Sequence, residues 1–135
     1  MKLRSGPCGA DYARCVTDLE QSRLLATDIP GPRSIELAAR KSAAVSSGVG
    51  VTMPVYCRRA AGGILEDVDG NRFLDISSQL VNVNIGHQHP RVVQAIQEQA
   101  AVLATISPNH ANAARGEAAA RIVSLAPDHM NKVFF

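Results

Sequence analysis

The chain has 135 residues, 46% of them hydrophobic and 19% charged, with a formal net charge of +2 at pH 7. This composition is typical of one globular domain and excludes intrinsic disorder or a fibrous repeat as a description of the whole chain. The small, evenly spread positive charge does not favour nucleic-acid binding. No apolar run approaches the roughly 20 residues of a membrane span, and no secretory signal follows the basic start. We therefore expect a cytoplasmic protein with reduced cysteines and without nucleic-acid or membrane partners.

The first thirty residues lack a clear period of apolar residues and are predicted to form a loosely attached arm. The segment Pro30-Gly31-Pro32 then predicts a break between regular elements. An alanine-rich stretch follows, and it predicts a helix over residues 35–47 with Ser34 as its N-cap.

Three short strands separated by turn signals are predicted next, over residues 54–60, 64–68 and 72–76. The connection Asp69-Gly70-Asn71 is a hairpin signal, because glycine and asparagine accept the positive φ of tight turns. The pattern therefore predicts an antiparallel meander.

Two helices are predicted in the second half of the chain. The first begins near Pro90, which suits a first helical turn, and the second spans residues 113–126. The apolar positions of the first helix fall on one face: Val92, Val93, Ile96, Ala100 and Leu103. The apolar run from Val133 predicts the start of a buried strand, and we expect the natural protein to continue beyond it.

Several side chains could carry chemistry, and each has a structural alternative that we favour. The pair His87 and His89 lacks the further ligands of a zinc site, so a structural role is favoured over metal binding. The acidic residues near the hairpin lack the ligand pattern of an EF-hand, and turn chemistry is favoured over an acid pair or a calcium loop. These acidic residues are Glu66, Asp67, Asp69 and Asp75.

Cys57 could be a nucleophile, but its place in a predicted strand beside arginines equally fits a half-buried thiol. No glycine pattern of a phosphate-binding loop is present. The residues by themselves therefore predict an α/β fold, a three-stranded meander with helices, and no assembled catalytic or metal site.

The segment GGILEDVDGNRFLDISSQLVNVNIGHQHPRVVQAIQEQA, residues 62–100, resembles the amino-terminal region of class III aminotransferases, the pyridoxal-phosphate transaminases that act on ω-amino groups. The hairpin followed by GHxHP carries the match, which extends over residues 27–135. Two early stretches, TDIPGPRS and GVGVTMPVY, are similar to the 4-aminobutyrate branch. Three later stretches, SSQLVNVNIGHQHP, SPNHANAARGEAA and MNKVFF, are more similar to the pyruvate-using branch that includes taurine-type enzymes.

The resemblance implies fold type I, with a large domain on a mainly parallel sheet and a small α/β domain, in a homodimer with sites at its interface. The chain would then comprise an amino-terminal arm (1–30), a small-domain segment with the meander and a helix (31–106), and the truncated start of the large cofactor-binding domain (107–135). The resemblance also implies pyridoxal 5'-phosphate as cofactor, with an amino donor and a 2-oxo acid as substrates.

The resemblance further implies that the stretch after the hairpin passes over the active site. Leu80 and Val81 match positions that shape the substrate pocket, and Gln79 lies beside them. We therefore predict these three residues to bind substrate; the alternative is that they pack or lie at the dimer interface. His87 and Pro90 match helix-entry residues and not catalysts.

In the family, the phosphate loop, the aromatic ring partner, the pyridine-facing aspartate and the Schiff-base lysine come later than Phe135. The lysines present, Lys2, Lys41 and Lys132, do not match that lysine, so we expect the chain alone to be inactive. The main hypothesis is a fragment of an aminotransferase that moves an amino group from an ω-amino donor, such as 4-aminobutyrate, to a 2-oxo acid. The alternatives are an inactive interaction module derived from an aminotransferase and, last, a metal-binding protein using the two histidines.

Overall fold

The computed structural model describes residues 19–107 and 109–135. Their elements, in chain order, are helix α1 (Pro32–Ala44), strands β1 (Cys57–Ala61), β2 (Ile64–Asp67) and β3 (Arg72–Leu74), a distorted helical turn α2 (Ser78–Val81), and helices α3 (Pro90–Val102) and α4 (Ala113–Val123). The chain divides into two compact units, the first ending at Ile96 and the second covering Gln97–Phe135. Within the described residues, no helix combines the length and apolar character needed to cross a membrane.

The three strands form the predicted antiparallel sheet, in the order β1-β2-β3. Leu65 at the centre of the sheet lies opposite Ala60 on one side and Phe73 on the other. The register of β1 shifts between Cys57 and Arg59, which is the signature of a bulge. The strands differ from their predicted bounds by up to three residues, because ladder pairing and not β-propensity sets where a strand ends.

The hairpin turn at Asp69-Gly70-Asn71 is confirmed, and buried polar groups hold it. Asp67 Oδ1 accepts hydrogen bonds from the backbone N–H of Asp69 at 2.9 Å and of Asn71 at 2.8 Å, and its Oδ2 accepts one from the Asn71 amide at 2.9 Å. Gly70 has φ +90°, which glycine adopts without steric cost. Since the residues Asp67 and Asn71 are both 0% exposed, a polar pair replaces apolar packing at this end of the sheet.

Helix α1 begins at Pro32, three residues before its predicted start, and the prediction of Ser34 as N-cap is wrong. The cap comes from the hairpin, because Asp69 accepts hydrogen bonds from the backbone N–H groups of Arg33 at 2.7 Å and Ser34 at 2.9 Å, and from the Ser34 hydroxyl at 2.6 Å. A carboxylate at the start of a helix accepts hydrogen bonds from backbone N–H groups that have no partner within the helix. Desolvation raises the pKa of Asp69, but the bonds from Ser34 and Arg33 outweigh it and hold that pKa below its usual range.

The described part of the amino-terminal arm is bonded to the hairpin, so the prediction of loose attachment is wrong for it. Leu24 and Arg72 exchange two backbone hydrogen bonds, of 3.1 and 2.7 Å. The side-chain oxygen of Asn71 accepts hydrogen bonds from the N–H groups of Ala26 at 2.8 Å and Thr27 at 2.9 Å. Residues 1–18, which include Cys8 and Cys15, lie outside the described residues.

Among the described residues, the buried apolar core consists of Leu19, Ala61 and Ile64. The apolar face predicted for α3 remains largely exposed, with Val92 at 45% and Ile96 at 61% exposure. Periodicity predicts where a helix has an apolar face, but it does not supply the surface that would cover that face.

Helices α3 and α4 start where they are predicted to start, at Pro90 and Ala113. Asn112 caps α4, since its side-chain oxygen accepts a hydrogen bond from the Arg115 N–H at 3.1 Å. Helix α4 ends at Val123, three residues before its predicted end.

The strand predicted from Val133 is not formed. A strand is defined by pairing with a neighbour, and apolar character alone does not provide one. The guanidinium carbon of Arg115 instead lies 5.5 Å from the centroid of the Phe135 ring, a cation–π distance.

Candidate functional site

The loop between β3 and α3 carries the three residues predicted to bind substrate. Gln79, Leu80 and Val81 are consecutive in α2, and all three are exposed, Leu80 at 88% and Val81 at 80%. The three side chains therefore lie on one accessible segment. Their role in substrate binding stays a prediction.

Asp75, one residue after β3, bonds both ends of this loop. Its Oδ1 accepts hydrogen bonds from the backbone N–H of Gln79 at 3.1 Å and from the Ser77 hydroxyl at 3.2 Å. Its Oδ2 lies 2.6 Å from His87 Nε2, and the two side chains are only 4% and 7% exposed. The Gln79 N–H, followed by the His87 ring, holds the pKa of Asp75 below its usual range.

The far end of the loop is fastened to the turn between β1 and β2. His87 and Gly62 exchange two backbone hydrogen bonds, of 2.8 and 3.1 Å. The Asp75 N–H donates to the carbonyl oxygen of Gly63 at 2.9 Å, so both ends of the loop contact the same turn. Gly86 has φ +85°, and a Cβ placed there would lie 3.3 Å from Gly62, so the two backbones cross closely at glycines.

The backbone of α2 is strained. Ser78, Gln79 and Val81 have φ of 50°, 57° and 62°, a region that non-glycine residues rarely adopt. The left-handed conformation costs an L-residue roughly 1–2 kcal/mol. Such strain persists only where surrounding bonds fix the conformation, and the Asp75 carboxylate supplies one such bond at Gln79.

We expect Ser78→Gly to stabilise the chain by about 1 kcal/mol, because glycine adopts positive φ without the clash of a Cβ. Chemical denaturation monitored by circular dichroism measures the change. Ser78→Ala is the matched control, since it removes the hydroxyl but keeps the strained φ, and it should leave stability nearly unchanged. Equal stability of the glycine and alanine variants would contradict the strain argument.

Both histidines make contacts within the fold, His87 through its ring and His89 through its backbone carbonyl oxygen, and the choice of a structural role over metal binding stays a prediction. The His87 ring forms a hydrogen bond with the Asp75 carboxylate. The carbonyl oxygen of His89 accepts hydrogen bonds from the backbone N–H groups of Val92 and Val93, at 3.0 Å each, in the first turn of α3. In the described part of the chain, no three His, Cys, Asp or Glu side chains are arranged to hold a metal ion.

The acidic residues do not converge on one site. Turn chemistry holds for Asp67, whereas Asp69 caps α1 and Asp75 bonds the loop. Glu66 forms ion pairs with Arg59 at 2.9 Å and Arg58, and its side chain is 8% exposed. The hydrogen bond from Arg59 is the main reason that its pKa lies below the usual range.

Cys57 is exposed and not half-buried. Partial desolvation raises the pKa of its thiol, and the charges of Asp67 and Asp75 raise it further. A thiol with a raised pKa carries little thiolate at neutral pH, which argues against a nucleophile.

Neither lysine in the described residues is placed as a residue that would hold the pyridoxal phosphate that the resemblance implies. The ammonium of Lys41 donates to the exposed Val49 carbonyl oxygen at 2.6 Å, and Lys132 is exposed in residues 131–135, which form no helix or strand. Neither lysine lies beside Gln79, Leu80 and Val81 in the sequence or shares an element with them. We therefore derive no chemical step through the cofactor on these residues.

Comparisons with known proteins identify relatives of the chain. The family model for class-III aminotransferases matches residues 45–135. The 4-aminobutyrate aminotransferase of Mycobacterium leprae is 57% identical over 86 residues, which cover 64% of this chain and 19% of that protein. This chain thus spans about a fifth of the length of that relative.

Solved structures share the fold. An acetylornithine aminotransferase from Elizabethkingia anophelis superposes with a TM-score of 0.60 at 33% identity, covering 68% of this chain and 24% of that one. A taurine:2-oxoglutarate aminotransferase from Bifidobacterium kashiwanohense, solved with pyridoxal phosphate and glutamate, gives 0.59 at 31% identity, covering 70% and 22%. These matches confirm the predicted α/β architecture of a pyridoxal-phosphate-dependent transferase.

Proposed function

The chain belongs to the class-III aminotransferases, and we propose that it is the amino-terminal part of an enzyme that transfers an amino group from an ω-amino donor, such as 4-aminobutyrate, to a 2-oxo acid. The proposal rests mainly on the 57% identity to the mycobacterial 4-aminobutyrate aminotransferase. The taurine:2-oxoglutarate aminotransferase is 31% identical, so the 4-aminobutyrate branch is the better supported donor class.

We propose that the longer protein uses pyridoxal 5'-phosphate, which supplies the electron sink for amino transfer when bound. In this proposal it is a cytoplasmic homodimer. Residues 1–30 form the arm, 31–106 belong to the small domain, and 107–135 begin the large one. Within the chain, the role that remains is to present Gln79, Leu80 and Val81 to the substrate. Their exposure on one segment supports that role.

The test compares two proteins. The coding sequence is read past codon 135, and both the 135-residue chain and the product of the longer frame are assayed with 4-aminobutyrate, 2-oxoglutarate and added pyridoxal phosphate. We expect the longer protein to be active and the short chain to be inactive. A stop codon at position 136, or a longer protein that transfers no amino group, would favour the alternative of an inactive module derived from an aminotransferase.

The second test separates substrate binding from folding at Leu80. We expect Leu80→Ala to change the stability of the chain by no more than about 0.5 kcal/mol, because this side chain is 88% exposed. In the longer protein the same variant should raise the KM for 4-aminobutyrate by about tenfold, the loss of one apolar contact of about 1.4 kcal/mol. Leu25→Ala, at a residue 46% exposed outside this loop, is the matched control and should leave KM unchanged.

A further inference from the structure

The loop of residues 76–86 has an exposed tip and a buried base. At the tip, Leu80 is 88% and Val81 80% exposed. At the base, the side chains of Asp75 and His87 are 4% and 7% exposed and lie 2.6 Å apart. Twelve positions of sequence separate these two residues, so their contact closes the loop in the manner of a clasp.

The two partners of the clasp act on different parts of the loop. Through Oδ1, Asp75 bonds the N–H of Gln79 within the strained segment. Through its backbone, His87 is paired to Gly62 beside β1, and Asp75 is bonded to Gly63. Asp75 therefore bonds the strained segment through its carboxylate and the β1–β2 turn through its backbone N–H.

We propose that Asp75 and His87 are positioning residues, which hold Gln79, Leu80 and Val81 in the conformation that meets the substrate. The proposal rests on the proposed function for the identity of the substrate. The clasp itself rests only on the geometry above, because the positive φ of Gln79 needs an external bond to persist and Asp75 supplies one.

The hydrogen bond between Asp75 and His87 determines which ring nitrogen of His87 carries the hydrogen. A carboxylate only accepts hydrogen bonds, so His87 Nε2 must carry the hydrogen that points at Asp75. Neutral His87 is thereby held as the Nε2–H tautomer. Asp75→Asn reverses this requirement, because the new amide donates to Nε2 and moves the ring hydrogen to Nδ1, while the amide oxygen still accepts from Gln79.

The first arm of the test uses the 135-residue chain and nuclear magnetic resonance. We expect the Gln79 amide to exchange with solvent at least about tenfold faster in Asp75→Ala and in His87→Ala than in the wild type. Asp75→Asn and His87→Gln, which retain a hydrogen bond across the clasp, should keep exchange near the wild-type rate. The histidine ¹⁵N shifts should report Nε2–H in the wild type and Nδ1–H in Asp75→Asn.

His110→Ala, at an exposed histidine, is the matched control and should change neither readout. The amide of Leu65 in β2 reports whether a variant still folds. If Asp75→Ala loses that protection, the comparison of His87→Ala with His87→Gln decides the same question. Unchanged Gln79 exchange in the folded alanine variants would overturn the clasp.

The second arm measures kinetics in the longer protein. We expect His87→Ala to raise the KM for 4-aminobutyrate at least about fivefold, with His87→Gln restoring it and with thermal midpoints that stay within a few degrees of each other. An unchanged KM alongside faster Gln79 exchange would overturn the positioning role. A wild-type protein without aminotransferase activity would instead refute the proposed function, while the exchange data would still decide whether the clasp holds the loop.

Discussion

Asn71→Ala should destabilise the chain by about 3 kcal/mol or more, because it removes a fully buried amide that bonds both the amino-terminal arm and Asp67. Its oxygen accepts hydrogen bonds from Ala26 and Thr27, and its nitrogen donates to the Thr27 hydroxyl and to Asp67 Oδ2. The truncation also leaves one oxygen of the buried Asp67 carboxylate without that donor. Urea denaturation monitored by circular dichroism measures the loss.

Two further variants make this expectation specific. Asn84→Ala, at an exposed asparagine of the same unit, should change stability by no more than about 0.5 kcal/mol. Asn71→Asp places a second carboxylate against Asp67, which raises one pKa of the pair above its unfolded value. Stability should then be lost as pH rises through that raised pKa and regained at low pH. If the stability difference between Asn71→Asp and the wild type were the same at pH 7 and at pH 4, the buried contact would be contradicted.

The sequence predicts the meander, the hairpin turn and the starts of α3 and α4, because each depends on neighbouring residues. Asp69-Gly70-Asn71 predicts a turn from residue types alone, and Pro90 predicts a helix start in the same way. The cap of α1 is different. Asp69 and Ser34 are 35 positions apart in the sequence. A serine before an alanine-rich stretch predicts a local cap, and only the folded structure shows that the hairpin supplies the cap instead.

In the candidate site, too, the sequence does not predict the contact between residues that are distant in the chain. Resemblance to a family predicts Gln79, Leu80 and Val81, and the fold makes them accessible on one segment. The sequence does not predict the bond between Asp75 and His87, since its residue patterns favour a role in the hairpin turn for Asp75 and in the helix entry for His87. The available signal was a carboxylate after one strand and a histidine before the next helix, which becomes informative only when the β1–β2 turn brings both together.

Ile64→Ala should destabilise the chain by about 2–5 kcal/mol, because this side chain is 1% exposed at the centre of the small apolar core. Ile64 is buried together with Leu19 and Ala61, so its truncation leaves a cavity in that cluster. Ile64→Val, which removes one methylene, should cost only about 0.5–1.5 kcal/mol. Denaturant midpoints of the two variants measure the difference.

Ile76→Ala is the matched control, since the same truncation at a residue 94% exposed removes almost no packing. It should change stability by no more than about 0.5 kcal/mol. The comparison also bears on function, because Ile64 directly follows Gly63, whose carbonyl oxygen anchors Asp75. We therefore expect Ile64→Ala to speed the exchange of the Gln79 and Leu65 amides together, whereas the clasp variants release Gln79 alone. Faster Gln79 exchange in Ile64→Ala with unchanged Leu65 protection would show that the conformation of the loop does not depend on the stability of the sheet.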